Sequence, residues 1–275
     1  MKKTIYLHYH INDVMNDIHL FGLIGYPLSH SFSQRYFTEK FANEGYQGYS
    51  YRNFPLENIG ELPQLLAQQR DLCGFNVTIP YKQQIIPYID EMDSVAEKTG
   101  AVNTVQIMRN GKEIYLKGYN TDVYGFSRSL EDWFTTLDAE LPRQALVLGT
   151  GGASKAVVYA LRCLNIAAHL ASRREGGDIY RTYNRLTDTD MAAHSLIINT
   201  TPLGMFPKTD ECPAIPYLYI TEKHYLYDLV YNPEETLFMR KGREKGASVH
   251  NGERMLYLQA DKAWEIWSTK LTSNR

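Results

Sequence analysis

The stretch that decides the fold is Ala145-Leu146-Val147-Leu148-Gly149-Thr150-Gly151-Gly152-Ala153-Ser154. It begins as a short apolar strand, continues as a glycine-rich turn, and is followed by a predicted apolar helix from Lys155 to Leu164. Such a turn lets backbone N–H groups approach a pyrophosphate at the positive end of the helix, a role for Gly149 and Gly151. The stretch therefore predicts a dinucleotide-binding βαβ unit, although Ser154 replaces the usual third glycine or alanine.

The next predicted strand, Ala167 to Ala171, indicates which dinucleotide is bound. It ends at Ser172-Arg173-Arg174, and no acidic residue occurs before Glu175. An acidic residue at this point would hold a ribose hydroxyl, whereas an arginine suits a 2′-phosphate. The sequence therefore favours NADP over NAD. The alternative is that the arginines are ordinary solvated charges.

The segment between that strand and the predicted strand Ser195 to Ile198 is short. Only Glu175 to His194 is available for a crossover that normally holds a helix, a further strand and their loops. We therefore expect an α/β fold with a Rossmann-like cofactor domain whose crossover is trimmed.

The N-terminal half also alternates predicted strands and helices. A mainly apolar run from His19 to Pro27 is followed by a helical pattern that ends at Gly45, a suitable C-cap. Leu72 to Ile79 reads as a buried strand, and Pro80 suits the first turn of a helix beginning near Tyr81. The loop after this strand carries Thr78 and Lys82.

A predicted hairpin brings polar residues together. Thr104 to Met108 and Glu113 to Lys117 flank Asn110-Gly111, a dipeptide that favours a two-residue type I′ turn. With those two residues as the loop, Asn103 faces Gly118. The clusters Asn103-Thr104 and Asn120-Thr121-Asp122 are then expected at the same end of the hairpin.

Composition excludes several classes of function. The 275 residues carry 29 basic and 31 acidic side chains, with no basic run, which argues against nucleic-acid binding. The three cysteines are far apart and lack CxxC spacing, so neither a disulfide framework nor a metal site is predicted. No apolar stretch reaches the roughly 18 residues of a membrane span, and no signal peptide is recognisable. We therefore expect a cytoplasmic protein.

The C-terminal segment, Glu253 to Leu271, is predicted to be a helix that returns to the first domain. Its apolar face carries Leu256, Ala260, Ala263, Trp264 and Trp267. The expected domains are a substrate-binding domain, 19–124 plus 252–275, and an NADP-binding domain, 125–251. Residues 1–18 form an extra segment.

Single residues read without context remain ambiguous. Ser31 and Ser33 suit a substrate carboxylate at a helix start, but taken alone their residue types favour N-capping. Lys82 and Asp122 are candidate catalytic groups only if their strands are neighbours.

Several motifs occur together and in one order. They are Gly25-Tyr26-Pro27-Leu28-Ser29-His30-Ser31-Phe32-Ser33, Asn76-Val77-Thr78-Ile79-Pro80-Tyr81-Lys82, Gly100-Ala101-Val102-Asn103-Thr104, Asn120-Thr121-Asp122, the glycine turn, and Asn199-Thr200-Thr201-Pro202-Leu203-Gly204-Met205. From Phe21 to Gln259 the chain resembles the shikimate dehydrogenase family. The resemblance implies NADPH-dependent reduction of 3-dehydroshikimate to shikimate.

The resemblance also implies roles for individual residues. Lys82 and Asp122 would be the catalytic pair. The substrate would be bound by Ser31, Ser33, Thr78, Asn103, Asp122, Tyr231 and Gln259. The cofactor would contact Gly149, Thr150, Gly151, Gly152, Ala153, Ser154, Ser172, Arg173, Arg174 and Thr200, with Leu229, Gly252 and Met255 near the nicotinamide.

The sequence departs from the family pattern at three places. Ser172-Arg173-Arg174 stands where an Asn-Arg-Thr triplet is usual, the crossover is shorter, and Glu253-Arg254 places charge near the expected nicotinamide. The first 14 residues have no counterpart, so we expect a natural start at Met15. A quinate/shikimate dehydrogenase relative using NAD(P), or a non-catalytic ligand sensor, remains an alternative, as do a monomer and a homodimer.

Overall fold

The computed structural model describes residues 18–28 and 32–271, and side chains as far as residue 269. Ser31, the expected start at Met15 and nearly all of the extra N-terminal segment lie outside the described residues. Among the helices of the described part, none is both long and apolar enough to cross a membrane.

The first sheet has six strands. They are β1 (His19–Gly25), β2 (Tyr49–Pro55), β3 (Leu72–Val77), β4 (Glu91–Met92), β5 (Thr104–Asn110) and β6 (Glu113–Tyr119). Their order is β2-β1-β3-β5-β6-β4. Strand β1 is parallel to β2 and β3, and β5 is antiparallel to β3 and β6. Because β3 and β5 are neighbours, the loop after β3 lies beside the residues that precede β5.

The second sheet is parallel throughout. Its strands are β7 (Gln144–Leu148), β8 (Ala167–Ser172), β9 (Ile179–Thr182), β10 (Leu196–Asn199), β11 (Tyr225–Asp228) and β12 (Ser248–His250). Their order, β12-β11-β10-β7-β8-β9, is that of the doubly wound dinucleotide-binding fold. The strand order reverses between β7 and β10, where such folds bind their ligand at the carboxyl edge.

Eight helices accompany the sheets in the described part of the chain. They are α1 (Phe32–Asn43), α2 (Leu62–Gln68), α3 (Ser94–Thr99), α4 (Asp122–Thr136), α5 (Gly152–Cys163), α6 (Asp188–Ala193), α7 (Leu237–Arg243) and α8 (Glu253–Leu271). The stop predicted after α1 is confirmed, since Gly45 has φ of +73° and the Tyr46 N–H donates to the Phe41 carbonyl at 2.9 Å.

The trimmed crossover is confirmed, and the missing element is the helix between β8 and β9. Strand β9 persists with four residues and pairs with β8, but only residues 173–178 connect the two strands. Six residues are too few for a helix and its loops. The sheet therefore keeps its sixth strand and lacks the helix between β8 and β9.

The predicted hairpin register is wrong by two residues. Asn110 pairs with Glu113, so the loop is Gly111-Lys112 and Asn103 lies opposite Asn120. Gly111 has φ of +60° and Lys112 does not have a positive φ, which suits a type II′ turn with glycine first. A shift of two residues preserves the faces of both strands, and the polar clusters still meet at one end.

The helix predicted to begin near Tyr81 is wrong. Residues 79–85 form consecutive turns, followed by a short 3-10 segment at Ile86–Tyr88. Pro87 cannot donate to the carbonyl four residues earlier, and its ring would clash with that carbonyl. The segment therefore stays a compact turn, held by the Val102 N–H, which donates to the Lys82 carbonyl at 2.7 Å.

The predicted return of the last helix to the first domain is confirmed. The Trp267 indole N–H donates to the Val105 carbonyl at 3.0 Å, and the Gln106 amide donates to the Ile266 carbonyl at 2.9 Å. The Phe21 ring is stacked on Trp267 with centroids 4.8 Å apart. Helix α8 thereby covers one face of the first sheet.

Helix α8 also packs tightly on α4. A Cβ atom at Gly125 would lie 2.6 Å from the Gln259 Cγ and 2.7 Å from the Met255 carbonyl oxygen. Only glycine permits this approach without a shift of backbone. The contact places Gln259 and Met255 beside the first turn of α4, which begins with Asp122.

Candidate active site

Lys82 and Asp122 form a direct ion pair. The Lys82 Nζ lies 2.7 Å from the Asp122 Oδ2, and the side chains are 27% and 8% exposed. Sequence reasoning could not show this contact; it follows from the adjacency of β3 and β5. A lysine that retains some access to solvent next to a buried carboxylate can meet a ligand without losing its partner.

The second oxygen of Asp122 is fixed by Asn103. The Asn103 Nδ2 donates to the Asp122 Oδ1 at 2.9 Å, while its Oδ1 accepts from the Thr121 N–H at 2.8 Å. The Asp122 N–H donates to the Asn120 Oδ1 at 3.0 Å. Because Asp122 is the first residue of α4, the helix dipole also favours its negative charge.

A chain of hydrogen bonds extends from this pair toward Ser33, through residues not predicted as site residues. The Thr104 hydroxyl donates to the Asn103 Oδ1 at 3.1 Å and accepts from the Asn76 Nδ2 at 3.0 Å. The Tyr51 hydroxyl donates to the Asn76 Oδ1 at 2.8 Å and also interacts with the Ser33 side chain. Only Tyr51 lies outside the sequence motifs, so no local signal could have identified it.

Three other predicted substrate residues lie on different elements of the fold. Thr78 follows β3, and its methyl carbon would be 2.4 Å from a Cβ at Gly25. Gln259 approaches from α8 beside α4. Tyr231 follows β11 in the second half of the chain; burial raises the pKa of its phenol, so the hydroxyl remains a donor at neutral pH. The ring of Tyr231 lies 6.4 Å from that of Phe32.

The glycine turn has the geometry expected of a dinucleotide cradle. Gly149 has φ of +111°, and a Cβ there would lie 2.9 Å from the Thr200 Oγ1. Cβ atoms at Gly151 and Gly152 would meet nothing within 4 Å, so a ligand can approach the backbone where α5 begins. The buried Ser154 hydroxyl donates to the Gly151 carbonyl at 2.7 Å. Ser154 therefore stabilises the turn from its buried side, and Thr150 and Ala153 lie on the more exposed side.

The three residues at the end of β8, Ser172, Arg173 and Arg174, are not equivalent. Arg173 and Arg174 are both exposed, and the Arg174 N–H donates to the Ser172 hydroxyl at 3.3 Å. Arg173 lines a cavity together with Leu203 and Lys241, whereas Arg174 does not. Arg173 thus faces this cavity, and Arg174 lies outside its lining.

The predicted nicotinamide residues are brought together at the ends of β11 and β12. A Cβ at Gly252 would lie 2.2 Å from the Leu229 carbonyl oxygen, and the Gly252 N–H donates to the Val230 carbonyl at 3.2 Å. Met255 is buried one turn into α8. Arg254 turns away, since its guanidinium donates to the Asp132 carboxylate at 2.9 and 3.2 Å. The charge expected near the nicotinamide is therefore partly neutralised by α4.

Asp228 at the end of β11 is a buried acid that sequence reasoning did not select. Its Oδ1 accepts from the Asn199 Nδ2 at 2.9 Å and from the Val230 N–H at 3.0 Å, and its Oδ2 accepts from the Thr236 hydroxyl at 2.6 Å. Burial raises the pKa of Asp228 to about 7, although these donors oppose the shift. Asp228 ends β11 and its partner Asn199 is 29 residues away in sequence, so no local pattern indicated the contact.

His250, two residues before the predicted nicotinamide residue Gly252, is half-buried. Its ring is stacked on Trp133 at 5.0 Å, and its Nε2 lies 3.3 Å from the Ser129 Oγ. The Ser129 hydroxyl in turn accepts from the Tyr227 hydroxyl at 2.8 Å. Burial lowers the pKa of His250 from 6.5 to about 4. The neutral ring therefore joins β12 to α4 at physiological pH.

A doubly wound dinucleotide sheet, joined to an α/β domain that carries a lysine–aspartate pair, defines a two-domain nicotinamide-dependent dehydrogenase. Residues 23–105 match the model of the shikimate dehydrogenase substrate binding domain. A shikimate dehydrogenase (NADP(+)) from Methanosphaera stadtmanae is 35% identical over 274 residues, which cover 92% of each chain. The chain belongs to the shikimate dehydrogenase family.

Solved structures agree with this assignment. The crystal structure of shikimate 5-dehydrogenase from Thermus thermophilus, in complex with NADP(H) and shikimate, has a TM-score of 0.78 at 28% identity and covers 92% of this chain and 94% of its own. A quinate dehydrogenase from Corynebacterium glutamicum, in complex with NAD, has a TM-score of 0.78 at 29% identity with the same coverage. The fold is thus shared by relatives named for different substrates and cofactors.

Proposed function

We propose that this protein catalyses the reversible, NADP-dependent interconversion of 3-dehydroshikimate and shikimate. The observation that carries the proposal is the Lys82–Asp122 pair, held at 2.7 Å between the loop after β3 and the start of α4. A protein that only sensed ligand would have no need of a lysine and a carboxylate in this arrangement.

The pair matches the charge that the reaction creates. NADPH, when bound, supplies the hydride to the ring ketone. Negative charge then develops on the ketone oxygen, where the Lys82 ammonium stabilises it and donates a proton. In the reverse direction the neutral Lys82 amine accepts the hydroxyl proton. Asp122 orients the ammonium and accepts a hydrogen bond from a ring hydroxyl, so the two groups act as a coupled pair.

The family resemblance suggests the remaining substrate contacts. Ser31 and Ser33 would bind the carboxylate, the hydroxyl of Thr78 and the amides of Asn103 and Gln259 would bind ring oxygens, and Tyr231 would close the site from the cofactor side. Residues on both sheets thus hold one small ligand, which excludes water and aligns the reacting carbons.

The residues present also fit NADP. Open space in front of Gly151 and Gly152 at the start of α5 suits a pyrophosphate. Arg173 would pair with the 2′-phosphate, and Ser172 with the adenosine ribose, whereas Arg174 would contribute through long-range charge. Leu229, Gly252 and Met255 would contact the nicotinamide.

We also propose the domain bounds, the cellular location and the oligomeric state of the protein. Residues 19–124 with 252–275 form the substrate-binding domain and 125–251 the NADP-binding domain. The protein would act in the cytoplasm as a monomer or a homodimer.

Quinate dehydrogenation with NAD is the second candidate, favoured by the structural similarity to the quinate dehydrogenase. Initial rates with shikimate or quinate, each with NADP⁺ or NAD⁺, separate the two activities. We expect the highest kcat/KM with shikimate and NADP⁺. Highest turnover with quinate or NAD⁺ would transfer the assignment to the second candidate, and no turnover in any combination would indicate a ligand sensor.

A further inference from the structure

Three loops at the carboxyl edge of the second sheet form the expected cofactor site. They are residues 149–152 after β7, residues 200–204 after β10 and residues 229–236 after β11. Loops are normally the less ordered parts of a fold, yet hydride transfer requires the two reacting carbons to be held in register. Some buried group must therefore fix these loops relative to one another.

Asp228 makes the required connections. Its two oxygens bind the Asn199 amide, the Val230 N–H and the Thr236 hydroxyl, at 2.6 to 3.0 Å. Asp228, Asn199 and Thr236 are all fully buried. The carboxylate therefore joins the end of β10, the turn after β11 and the start of α7.

The connection continues from Asn199 to the glycine turn. The Asn199 Oδ1 accepts from the Thr201 N–H at 3.0 Å and from the Thr201 hydroxyl at 2.7 Å. Thr201 in turn lies against the glycine turn, since its Cγ2 would be 3.0 Å from a Cβ at Gly149. One carboxylate thus orders all three loops.

Asp228 is also linked, through Val230, to the residues expected to contact the nicotinamide. The Val230 N–H donates to Asp228, while the Val230 carbonyl accepts from the Gly252 N–H at 3.2 Å. The Leu229 carbonyl packs directly against Gly252. Movement of the turn after β11 would therefore move both Leu229 and Gly252.

We propose that Asp228 is a positioning residue for hydride transfer, which sets the backbone of Leu229 and Gly252 against the nicotinamide ring. The inference rests on the proposed function. It adds a residue that touches neither substrate nor cofactor and acts through the bonds that it accepts.

Asp228→Asn is the sharpest test because it preserves size and shape. A carboxamide has one accepting oxygen, so the three present donors cannot all be satisfied by it. We expect kcat to fall and KM for NADP⁺ to rise, each by about tenfold, because small displacements of reacting groups carry costs of that order. Shikimate binding, measured with the protein free of cofactor, should change by less than about twofold, since most of its contacts lie on the first sheet.

The kinetic isotope effect separates positioning from simple destabilisation. Shikimate deuterated at the carbon that loses hydride should show a larger isotope effect in Asp228→Asn than in wild type, because a misaligned hydride transfer becomes rate-limiting. A variant that is merely less folded would lose kcat in proportion to its active fraction, with KM for NADP⁺ and the isotope effect unchanged.

Asp190→Asn provides the matched control. Asp190 is also buried in the second half of the chain and accepts from the Tyr180 hydroxyl at 2.6 Å and from the Thr187 N–H and hydroxyl at 2.9 and 2.8 Å. None of these donors belongs to the three loops. We expect this variant to lose stability while its KM for NADP⁺ and its isotope effect match wild type.

The outcomes distinguish this inference from the proposed function. Absence of turnover in the wild type would contradict the proposed function itself. Wild-type turnover together with an unchanged KM for NADP⁺ and isotope effect in Asp228→Asn would overturn the positioning role, as would the same changes in Asp190→Asn.

Discussion

Gly252→Ala tests the nicotinamide end of the site by adding a single methyl group. Gly252 does not have a positive φ, so its backbone conformation is open to alanine. The added Cβ would nevertheless lie 2.2 Å from the Leu229 carbonyl oxygen and 2.7 Å from the carbonyl carbon. Both neighbours are backbone atoms, which cannot rotate away as the end of a side chain can.

The size of the effect follows from this distance. Ordinary van der Waals contact begins at 3.4 Å, so Gly252 and Leu229 must separate by about 1.2 Å (3.4 minus 2.2). A displacement of about 1 Å in groups that position a substrate can reduce the rate about 100-fold, which corresponds to about 2.7 kcal/mol of barrier. We therefore expect kcat/KM for NADP⁺ to fall by about two orders of magnitude.

Steady-state kinetics with varied NADP⁺ at saturating shikimate measure this loss. Gly242→Ala is the matched control, since its Cβ would lie 2.4 Å from the Leu226 Cδ2, which is the end of a side chain on β11 and not a backbone atom. That variant should keep kcat/KM for NADP⁺ within about twofold of wild type. If Gly252→Ala were equally active, Leu229 and Gly252 could not form the nicotinamide contact.

Three further variants test other parts of the account. Asp122→Asn should lower kcat by about 10²-fold or more, because Lys82 loses the charge that orients it; steady-state rates that stay within tenfold of wild type would contradict this role. Replacing Arg173 by Ser should reduce the preference for NADP⁺ over NAD⁺ by at least about tenfold, and Arg174→Ser should reduce it less; kinetics with both cofactors would show the reverse order if Arg174 bound the phosphate. The lowered pKa of His250 means that the stability it confers is present above pH 6.5 and is lost as the pH falls toward 4. After allowance for partial solvent screening, wild type should lose about 1 kcal/mol of unfolding free energy between pH 7.5 and 5 that His250→Phe does not lose, and equal losses in urea denaturation would count against this assignment.

Local sequence rules predicted the elements well where burial and turn chemistry act over a few residues. The strand–glycine turn–helix at residues 145–164, the stop at Gly45 and the last helix all formed as expected, because each depends on periodicity or on a glycine conformation. The short segment 175–194 also indicated that a crossover element was missing.

Contacts set by sheet order could not be predicted in this way. The Lys82–Asp122 pair exists because β3 lies next to β5, and no local pattern reports that adjacency. The hairpin register was missed because Asn110-Gly111 favours one turn, whereas Gly111 followed by Lys112 permits another with the same strand faces. The turn after Pro80 depended on Pro87, and the Asp228 cluster joins residues that are distant in sequence.

Family resemblance supplied the role of each site residue, and the structure brought most of them together from both sheets. Lys82, Thr78 and Asn103 lie on loops of the first sheet, and Asp122 is the first residue of α4. Most of the predicted cofactor residues lie at the carboxyl edge of the second sheet, and Gln259 lies on α8.

The most direct measurement of the central claim compares wild type with Lys82→Ala in NADP⁺ reduction by shikimate, together with shikimate binding by calorimetry. We expect clear turnover in wild type, a loss of at least about 10³-fold in kcat for Lys82→Ala, and shikimate binding that largely survives. Turnover by Lys82→Ala within about tenfold of wild type would contradict the assignment of Lys82 as the catalytic acid and base.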